Sequence, residues 1–391
     1  MSAGAAPWPR PSRVVVDLGR LGANVAALAA AVRPAALWVV VKADAYGHGA
    51  LAVARTALRV GAQGLCVALP QEALSLRADG VLGPLLVLGP ADVVEMERLG
   101  RARVCVTVPD GEALVRARRA AEALPVEARP LAVHLKVDTG MGRIGCPPEV
   151  APTLARAIVE SGGLSLAGVF THFASADEDV AATGRQLARF LGARAAVEVA
   201  LEGRARPLWH AANSAAALSL PETRLDVVRA GIAVYGYPAL PAGSAASVPL
   251  VPALSVESRV SFVKRVPAGF AVSYGSTHRT QGERVLATLP LGYADGLRRG
   301  LSGLVVRVAG LRVPIVGRVT MDQVVVEGPA DWEVQYGDEA TLLAADGEGP
   351  DALAWAERLG TIAYEVLTGL SPRLPRIYDG VSPSRAEARS T

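Results

Sequence analysis

The chain has 391 residues, a formal net charge of +3 at pH 7, 51% hydrophobic residues and 20% charged residues. This length exceeds what one compact core usually holds, so it predicts two domains. The basic residues are scattered without interleaved aromatic residues, which excludes a typical nucleic-acid-binding surface, and no apolar stretch is long enough to span a membrane.

The N-terminal segment predicts a flexible arm over residues 1–13. It lacks the basic start and apolar core of a signal peptide. The three cysteines, Cys66, Cys105 and Cys146, are too few and too dispersed for a disulfide framework, and none forms a CxxC metal motif. Both features favour a cytoplasmic protein without a metal site.

Residues 14–245 alternate between short apolar segments and segments with helical spacing. The apolar segments predict eight strands, at 37–41, 64–69, 85–88, 104–108, 131–137, 166–171, 207–210 and 226–229. The helical spacing predicts helices over 18–31, 51–60, 92–99, 111–124 and 149–161. This rhythm predicts a (β/α)8 TIM barrel. An open doubly wound sheet is the alternative, although no GxGxxG motif follows any strand.

The pattern changes after Gly236. Residues 240–248 are rich in Pro, Gly, Ala and Ser and predict a linker. Strand candidates then follow one another, at 260–264, 285–289, 305–308, 311–316 and 323–326, and helical segments follow at 351–359 and 361–367. We therefore predict a mostly antiparallel β-domain over 246–385. The early strand 14–17 is a candidate for pairing with this second domain.

Polar residues follow the predicted barrel strands at the end where such barrels build their active sites. Lys42 follows the first strand, and desolvation there would favour a neutral amine that can attack a carbonyl carbon. His172 and Arg229 end the sixth and eighth strands, and Asn213-Ser214 follow the seventh. This set suits an aldehyde cofactor that carries a phosphate. A solvated strand-end lysine is the alternative for Lys42.

Motifs along most of the chain resemble those of alanine racemases. The segment 41–49, Val-Lys-Ala-Asp-Ala-Tyr-Gly-His-Gly, resembles the pyridoxal-phosphate lysine motif of that family. Further matches lie at 134–143, 171–174, 213–216, 229–232, 272–275, 292–296, 317–323 and 364–367. Asp44 and Thr320 depart from the asparagine and cysteine common in the family. The resemblance implies a fold-type III pyridoxal-phosphate enzyme with a TIM barrel and a C-terminal β-domain.

The resemblance implies two catalytic bases. Lys42 would carry the cofactor and act on one face of the substrate, and Tyr274 would act on the other. Two bases let a proton leave one face and return to the other while the substrate stays in place. The resemblance also implies that His172 contacts the Tyr274 phenol, that Arg229 contacts His172, and that Arg229 faces the ring nitrogen of the cofactor. An ion pair with Asp226 is the alternative for Arg229.

The resemblance implies a phosphate site and a substrate site. The phosphate would be held by Tyr46, Ser214, Tyr364 and the backbone of Gly231 and Ile232, and His172 and Asn213 would also contact the cofactor. The substrate carboxylate would be bound by Arg143 and the backbone N–H of Met321, and Tyr293 would narrow the entrance. Lys136 is a candidate for carbamylation by CO2, which would orient Arg143; an unmodified lysine is the alternative.

The activity implied by the resemblance is pyridoxal-5'-phosphate-dependent interconversion of L- and D-alanine, which would supply D-alanine for peptidoglycan. The resemblance also implies a homodimer with composite active sites, in which Tyr274, Tyr293 and Met321 of one subunit complete the pocket around Lys42 of the other. A broad-specificity or serine racemase of the same fold is the alternative. The predicted β-domain argues against a non-enzymatic cofactor carrier. Arg229 and Tyr274 argue against a decarboxylase of basic amino acids.

The remaining histidines receive no role from these motifs and are expected to be structural: His48, His134, His210 and His278.

Overall fold

The computed structural model describes residues 10–241 and 248–380. The chain divides into a barrel unit, Leu21–Val251, and a β-unit, formed by Met1–Arg20 together with Pro252–Thr391. Most of the predicted arm 1–13 and of the predicted linker 240–248 lies outside the described residues.

The barrel unit is built on eight parallel strands. After β1 (Arg13–Asp17), which belongs to the β-unit, they are β2 (Ala36–Val40), β3 (Gly64–Val67), β4 (Leu85–Val87), β5 (Val106–Val108), β6 (Leu131–Lys136), β7 (Leu164–Phe170), β8 (Leu208–His210) and β9 (Val227–Ala230). They pair in the orders β4-β3-β2-β9 and β5-β6-β7-β8. A parallel bridge between Leu86 and Cys105 joins β4 to β5, and a 3.0 Å bond from the Asp226 N–H to the Trp209 carbonyl joins β9 to β8. The predicted barrel is therefore confirmed.

Helices alternate with the barrel strands along the chain. Their bounds are Leu18–Ala31, Ala50–Arg59, Pro70–Ala78, Val93–Arg101, Gly111–Ala123, Ala151–Val159, Val180–Leu201 and Ser214–Ser219. The five predicted helices agree with the structure to within two residues at each end. The helix Val180–Leu201 was not predicted from the sequence, because its apolar residues do not form one clear stripe along the helix. The helix Pro70–Ala78 is short, but Pro at its first position and Glu72 at its third are N-terminal signals.

The β-unit contains a nine-stranded sheet in the order β11-β14-β17-β16-β15-β18-β10-β1-β19. Its strands after β1 are β10 (Leu254–Arg259), β11 (Phe262–Val266), β14 (Arg284–Leu289), β15 (Val305–Val308), β16 (Leu311–Val316), β17 (Val324–Gly328), β18 (Glu339–Leu343) and β19 (Arg376–Asp379). Two short strands, β12 (Ala271–Val272) and β13 (His278–Arg279), form a separate hairpin. All neighbours in the large sheet are antiparallel except β1 and β19. The helices Ala352–Leu359 and Ala363–Thr368 precede β19. The expected mostly antiparallel architecture is confirmed.

Two further observations concern the described part of the chain. None of its helices combines the length and the apolar character needed to cross a membrane. Cys66, Cys105 and Cys146 are free thiols.

A buried carboxylate ties the start of the chain to the loops of the β-unit. Asp295 is fully buried, and Arg10 donates to its two oxygens at 2.6 and 2.8 Å. The Gly292 N–H donates to the same carboxylate at 3.0 Å, and Arg373 lies 3.4 Å away while also binding Asp322. Burial alone would raise the pKa of Asp295, but the bonds from Arg10 and Gly292 outweigh it and lower the pKa. Asp295 is therefore ionised and holds the loop 292–296 in place.

We expect the substitution Asp295→Ala to destabilise the protein by about 2 kcal/mol, because it removes the charged hydrogen bonds from Arg10 and leaves the Gly292 N–H without its acceptor. The matched control is Asp346→Ala, since Asp346 and its partner Arg307 are both about a third exposed and such pairs contribute about 0–1 kcal/mol. Calorimetry at neutral pH measures both changes. Because the pKa of Asp295 is lowered, its contribution is present above about pH 4 and is lost as the pH falls further. Equal losses in the two variants would contradict this assignment.

Candidate functional site

Four cationic side chains meet at the carboxyl ends of the barrel strands: Lys42, Lys136, Arg143 and Arg229. Lys136 and Arg229 are each only 4% exposed. Burial and the charge of Arg143 lower the pKa of Lys42, whereas Glu72 opposes that shift. Burial and the charges of Arg229, Arg143 and Lys42 lower the pKa of Lys136 to about 7, against the opposing charge of Asp138.

Within the described residues, none of these four cations forms an ion pair with a carboxylate. Like charges repel, so their concentration at one place costs free energy in the absence of a negative partner. The cluster is therefore suited to bind an anionic ligand.

Arg229 lies at the start of a buried chain of imidazoles. It donates to His210 Nδ1 at 2.8 Å and to the carbonyls of Thr171 and Ala211 at 2.7 and 3.1 Å. Because arginine only donates, His210 Nδ1 must accept, so His210 Nε2 carries the proton and donates to His134 Nδ1 at 2.9 Å. Burial and the charge of Arg229 lower the pKa of His134 to about 3 and that of His210 well below its usual value. Both rings are therefore neutral.

These bonds give His210 a role that the sequence analysis did not assign. The contact between Arg229 and His172 implied by the resemblance is not a hydrogen bond in the described structure, since the bonds of Arg229 go to His210, Thr171 and Ala211. His172 lies in the same charged region, and burial followed by the charge of Arg229 lowers its pKa well below the usual value. His210 could have been recognised from its position at the end of β8, next to Arg229 on β9.

The loop that carries Arg143 is shaped by one carboxylate. Asp138 Oδ1 accepts from the N–H groups of Gly140 and Met141 at 2.9 and 2.8 Å, and Oδ2 accepts from the Gly142 N–H at 2.9 Å. Burial would raise the pKa of Asp138, but these backbone bonds lower it. Asp138 thus stays charged and folds the loop, while Arg143 itself remains exposed.

Lys42 is followed by a left-handed helical turn that the sequence did not predict. Ala43, Asp44, Ala45 and Tyr46 have φ angles of 51, 52, 53 and 54°. Each such residue costs roughly 1–2 kcal/mol, because its Cβ crowds the following carbonyl. Backbone strain of this kind concentrates at functional sites.

A second group of predicted residues meets beside this turn. The Gly231 N–H donates to Ser214 Oγ at 2.9 Å, and a Cβ on Gly231 would lie 2.5 Å from Tyr46 Oη. Asn213 caps the helix Ser214–Ser219 by accepting from the Ala216 N–H at 3.0 Å. The predicted residue Ile232 follows at once and is buried.

In the β-unit, Tyr274 lies in the loop of the hairpin β12–β13. Ser273 Oγ donates to the Arg318 carbonyl at 2.7 Å, and a Cβ on Gly317 would lie 2.8 Å from that of Ser273. Ser273 and Gly275 have φ angles of 60 and 72°, so the loop is tightly bent. This loop is thereby packed against the segment 317–318.

Tyr293 and Met321 lie on two loops that pair with each other. The Tyr293 N–H donates to the Thr320 carbonyl at 2.9 Å, and the Ala294 N–H donates to the Met321 carbonyl at 3.0 Å. The side chains of Tyr274, Tyr293 and Met321 are 71, 42 and 53% exposed. The β-unit therefore presents three large side chains to solvent on loops that are linked through residues 317–321. The remaining predicted residue, Tyr364, is half-buried in the helix Ala363–Thr368.

The chain is similar to known proteins of one family. A model for the N-terminal domain of alanine racemase matches residues 16–239, and one for the C-terminal domain matches residues 253–378. An alanine racemase of Symbiobacterium thermophilum is 43% identical over 95% of this chain and 98% of its own. One from Desulfosudis oleivorans is 43% identical over 94% of this chain and 97% of its own.

Solved structures agree. Alanine racemase from D-cycloserine-producing Streptomyces lavendulae superimposes with a TM-score of 0.87 at 40% identity, covering 96% of this chain and 98% of that one. The enzyme from E. faecalis gives a TM-score of 0.87 at 39% identity, covering 96% of this chain and 100% of that one. The two family domains, the long alignments and the shared fold show that this chain belongs to the alanine racemase family of isomerases.

Proposed function

We propose that the chain is a pyridoxal-5'-phosphate-dependent alanine racemase that uses Lys42 and Tyr274 as its two bases. The observation that carries the proposal is the cluster of Lys42, Lys136, Arg143 and Arg229, which has no carboxylate ion-pair partner among the described residues. An anionic cofactor with an aldehyde, together with the carboxylate of an amino acid, supplies the charge that this cluster requires. Membership of the family supports the same substrate.

The residues present fit such a cofactor. Ser214 Oγ and the backbone of Gly231 and Ile232 form a compact polar corner, and a Cβ on Gly231 would clash with Tyr46 Oη at 2.5 Å. Tyr364 would complete the proposed phosphate site, and Asn213 caps the helix that begins at Ser214. Lys42 would hold the aldehyde carbon covalently.

Arg229 would donate a hydrogen bond to the ring nitrogen. Burial lowers the pKa of Arg229 only to about 10, so the guanidinium keeps its charge at neutral pH. His210 and the carbonyls of Thr171 and Ala211 fix its orientation. We propose that Arg229 thereby binds the ring nitrogen without passing a proton to it.

Pyridoxal phosphate, when bound, supplies an electron sink that makes the α-proton of the amino acid acidic. Tyr274 Oη would remove this proton from L-alanine while Lys42 Nζ returns one to the opposite face, and the roles reverse for D-alanine. Arg143 and the Met321 N–H would bind the substrate carboxylate. Tyr293 would limit the side chain to a small one, and His172 would orient the Tyr274 phenol.

We propose that the active unit is a homodimer with composite sites. The exposure of Tyr274, Tyr293 and Met321 supports this, because large exposed side chains grouped together mark interaction surfaces. The D-alanine would supply peptidoglycan synthesis in the cytoplasm. Measuring racemisation across a panel of L-amino acids separates this proposal from a broad-specificity or serine racemase, for which serine would be turned over as fast as alanine.

Borohydride reduction of the protein loaded with pyridoxal phosphate is expected to fix the label on Lys42. The sequence contains three lysines, Lys42, Lys136 and Lys264, so peptide mapping gives an unambiguous answer. The substitution Lys42→Arg should abolish the label, and Lys264→Arg, on the strand β11, should leave it intact. A label on Lys136 or Lys264 in the unaltered chain would contradict the assignment of Lys42 as the cofactor lysine.

The substitution Tyr274→Phe is expected to slow exchange of the α-proton of L-alanine with D2O by about 100-fold or more, because it removes one acid–base group. Exchange from D-alanine should persist, since Lys42 acts on that enantiomer. The matched control is Tyr336→Phe, which changes an 80% exposed tyrosine of the same unit. NMR of each enantiomer, with the cofactor absorbance recorded in parallel, measures both rates. Unchanged exchange from L-alanine would refute the role of Tyr274.

Lys136 is expected to take up CO2 in a pH-dependent way. A neutral amine forms a new N–C bond to CO2 and releases a proton, and a pKa of about 7 makes much of Lys136 neutral near neutrality. With 13C-labelled CO2, the carbamate signal in NMR should be strong near pH ~8 and should decline as the pH falls through about 7. The signal should be absent from the variant Lys136→Ala. Its absence from the unaltered protein would leave the unmodified lysine as the correct form.

A further inference from the structure

We propose that Glu72 is a positioning residue for Lys42, because its carboxylate holds the first N–H of the strained left-handed turn that follows the lysine. The inference rests on the proposed function of Lys42 and adds a residue to it. Glu72 lies on the helix Pro70–Ala78, outside every motif that the sequence analysis singled out.

The turn needs an external restraint. Four successive residues, 43–46, are left-handed, and none of them is glycine. Within the turn and its exit, the Ala45 N–H donates to the Val41 carbonyl at 2.9 Å and the Gly47 N–H donates to the Ala43 carbonyl at 3.1 Å. These local bonds do not use the N–H of Ala43, the residue next to Lys42.

Glu72 supplies that bond. Its Oε1 accepts from the Ala43 N–H at 2.6 Å. Its Oε2 accepts from the N–H groups of Ala68 and Leu69 at 2.8 and 3.0 Å, just before its own helix begins. The two oxygens therefore serve different elements, and one carboxylate fastens the turn after β2 to the turn after β3.

This arrangement requires both oxygens to accept. A glutamine has a single acceptor oxygen, so it can satisfy either the lysine turn or the helix start, but not both. The charge of Glu72 also acts on the lysine directly, since it opposes the lowering of the Lys42 pKa by burial and by Arg143.

Glu95 provides an internal comparison. It occupies the same third position in the next helix, Val93–Arg101, and its Oε2 accepts from the Asp92 N–H at 3.0 Å. Its Oε1 accepts from the Gln71 side chain at 3.2 Å instead of from a strained turn. Replacing Glu95 therefore measures the loss of a helix-start carboxylate, and replacing Glu72 measures that loss together with the loss of the Ala43 bond.

The experiment compares Glu72→Ala and Glu72→Gln with Glu95→Ala and Glu95→Gln in the full chain. The cofactor is removed and pyridoxal 5'-phosphate is added back, and borohydride quenching at successive times gives the rate at which Lys42 becomes labelled. We expect Glu72→Ala to slow labelling by about tenfold, the usual effect of losing a hydrogen bond to a charged group. Glu72→Gln should slow it by less, because the single acceptor oxygen of glutamine is shared between the lysine turn and the helix start. Both Glu95 variants should stay within about twofold of the unaltered chain, because they leave the lysine turn intact.

A third variant links the effect to the turn. Glycine adopts positive φ without a Cβ penalty, so Ala43→Gly combined with Glu72→Ala should recover most of the lost labelling rate. Circular dichroism confirms folding, and the combined variant and Glu72→Gln keep the test decisive if Glu72→Ala alone fails to fold. Equal labelling rates in the Glu72 and Glu95 variants, or no recovery with Ala43→Gly, would overturn the inference. Absence of any Lys42 label in the unaltered chain would instead overturn the proposed function.

Discussion

The central constraint in the barrel unit is the concentration of positive charge at the carboxyl ends of its strands. Burial, followed by the charge of Arg143, lowers the pKa of Lys42, and burial, followed by the charges of Arg229, Arg143 and Lys42, lowers the pKa of Lys136. Burial of Lys136 and Arg229 removes water that would otherwise screen their charges. Such an arrangement is sustained by the surrounding fold, and its free energy improves when an anion binds.

The acidic residues nearby explain why the cations remain available. Asp138 accepts from three backbone N–H groups, and Glu72 accepts from three others. Asp44 accepts from the Ala50 N–H at 2.7 Å. These carboxylates shape loops and turns instead of pairing with the cations, so the positive charge is left for a ligand.

A carboxylate of the β-unit has a different role. Asp295 is paired directly with Arg10, and this pair, with the Gly292 N–H, fixes the loop that carries Tyr293. Here the carboxylate pairs directly with an arginine, because Asp295 is fully buried and a buried charge is costly without a partner. The two units thus use carboxylates differently, one to leave charge available and the other to remove it.

The sequence by itself determined the alternation that makes the barrel, the change to a β-rich second part and the motifs that identify the family. Apolar periodicity and local turn signals are encoded within a few residues, so five barrel helices could be placed to within two residues. Only the tertiary structure decided which distant groups meet. It gave Arg229 the hydrogen-bond partner His210, turned residues 43–46 left-handed, and brought Glu72 to Ala43. These features arise from contacts between residues far apart in the chain, and local sequence patterns carry no record of such contacts.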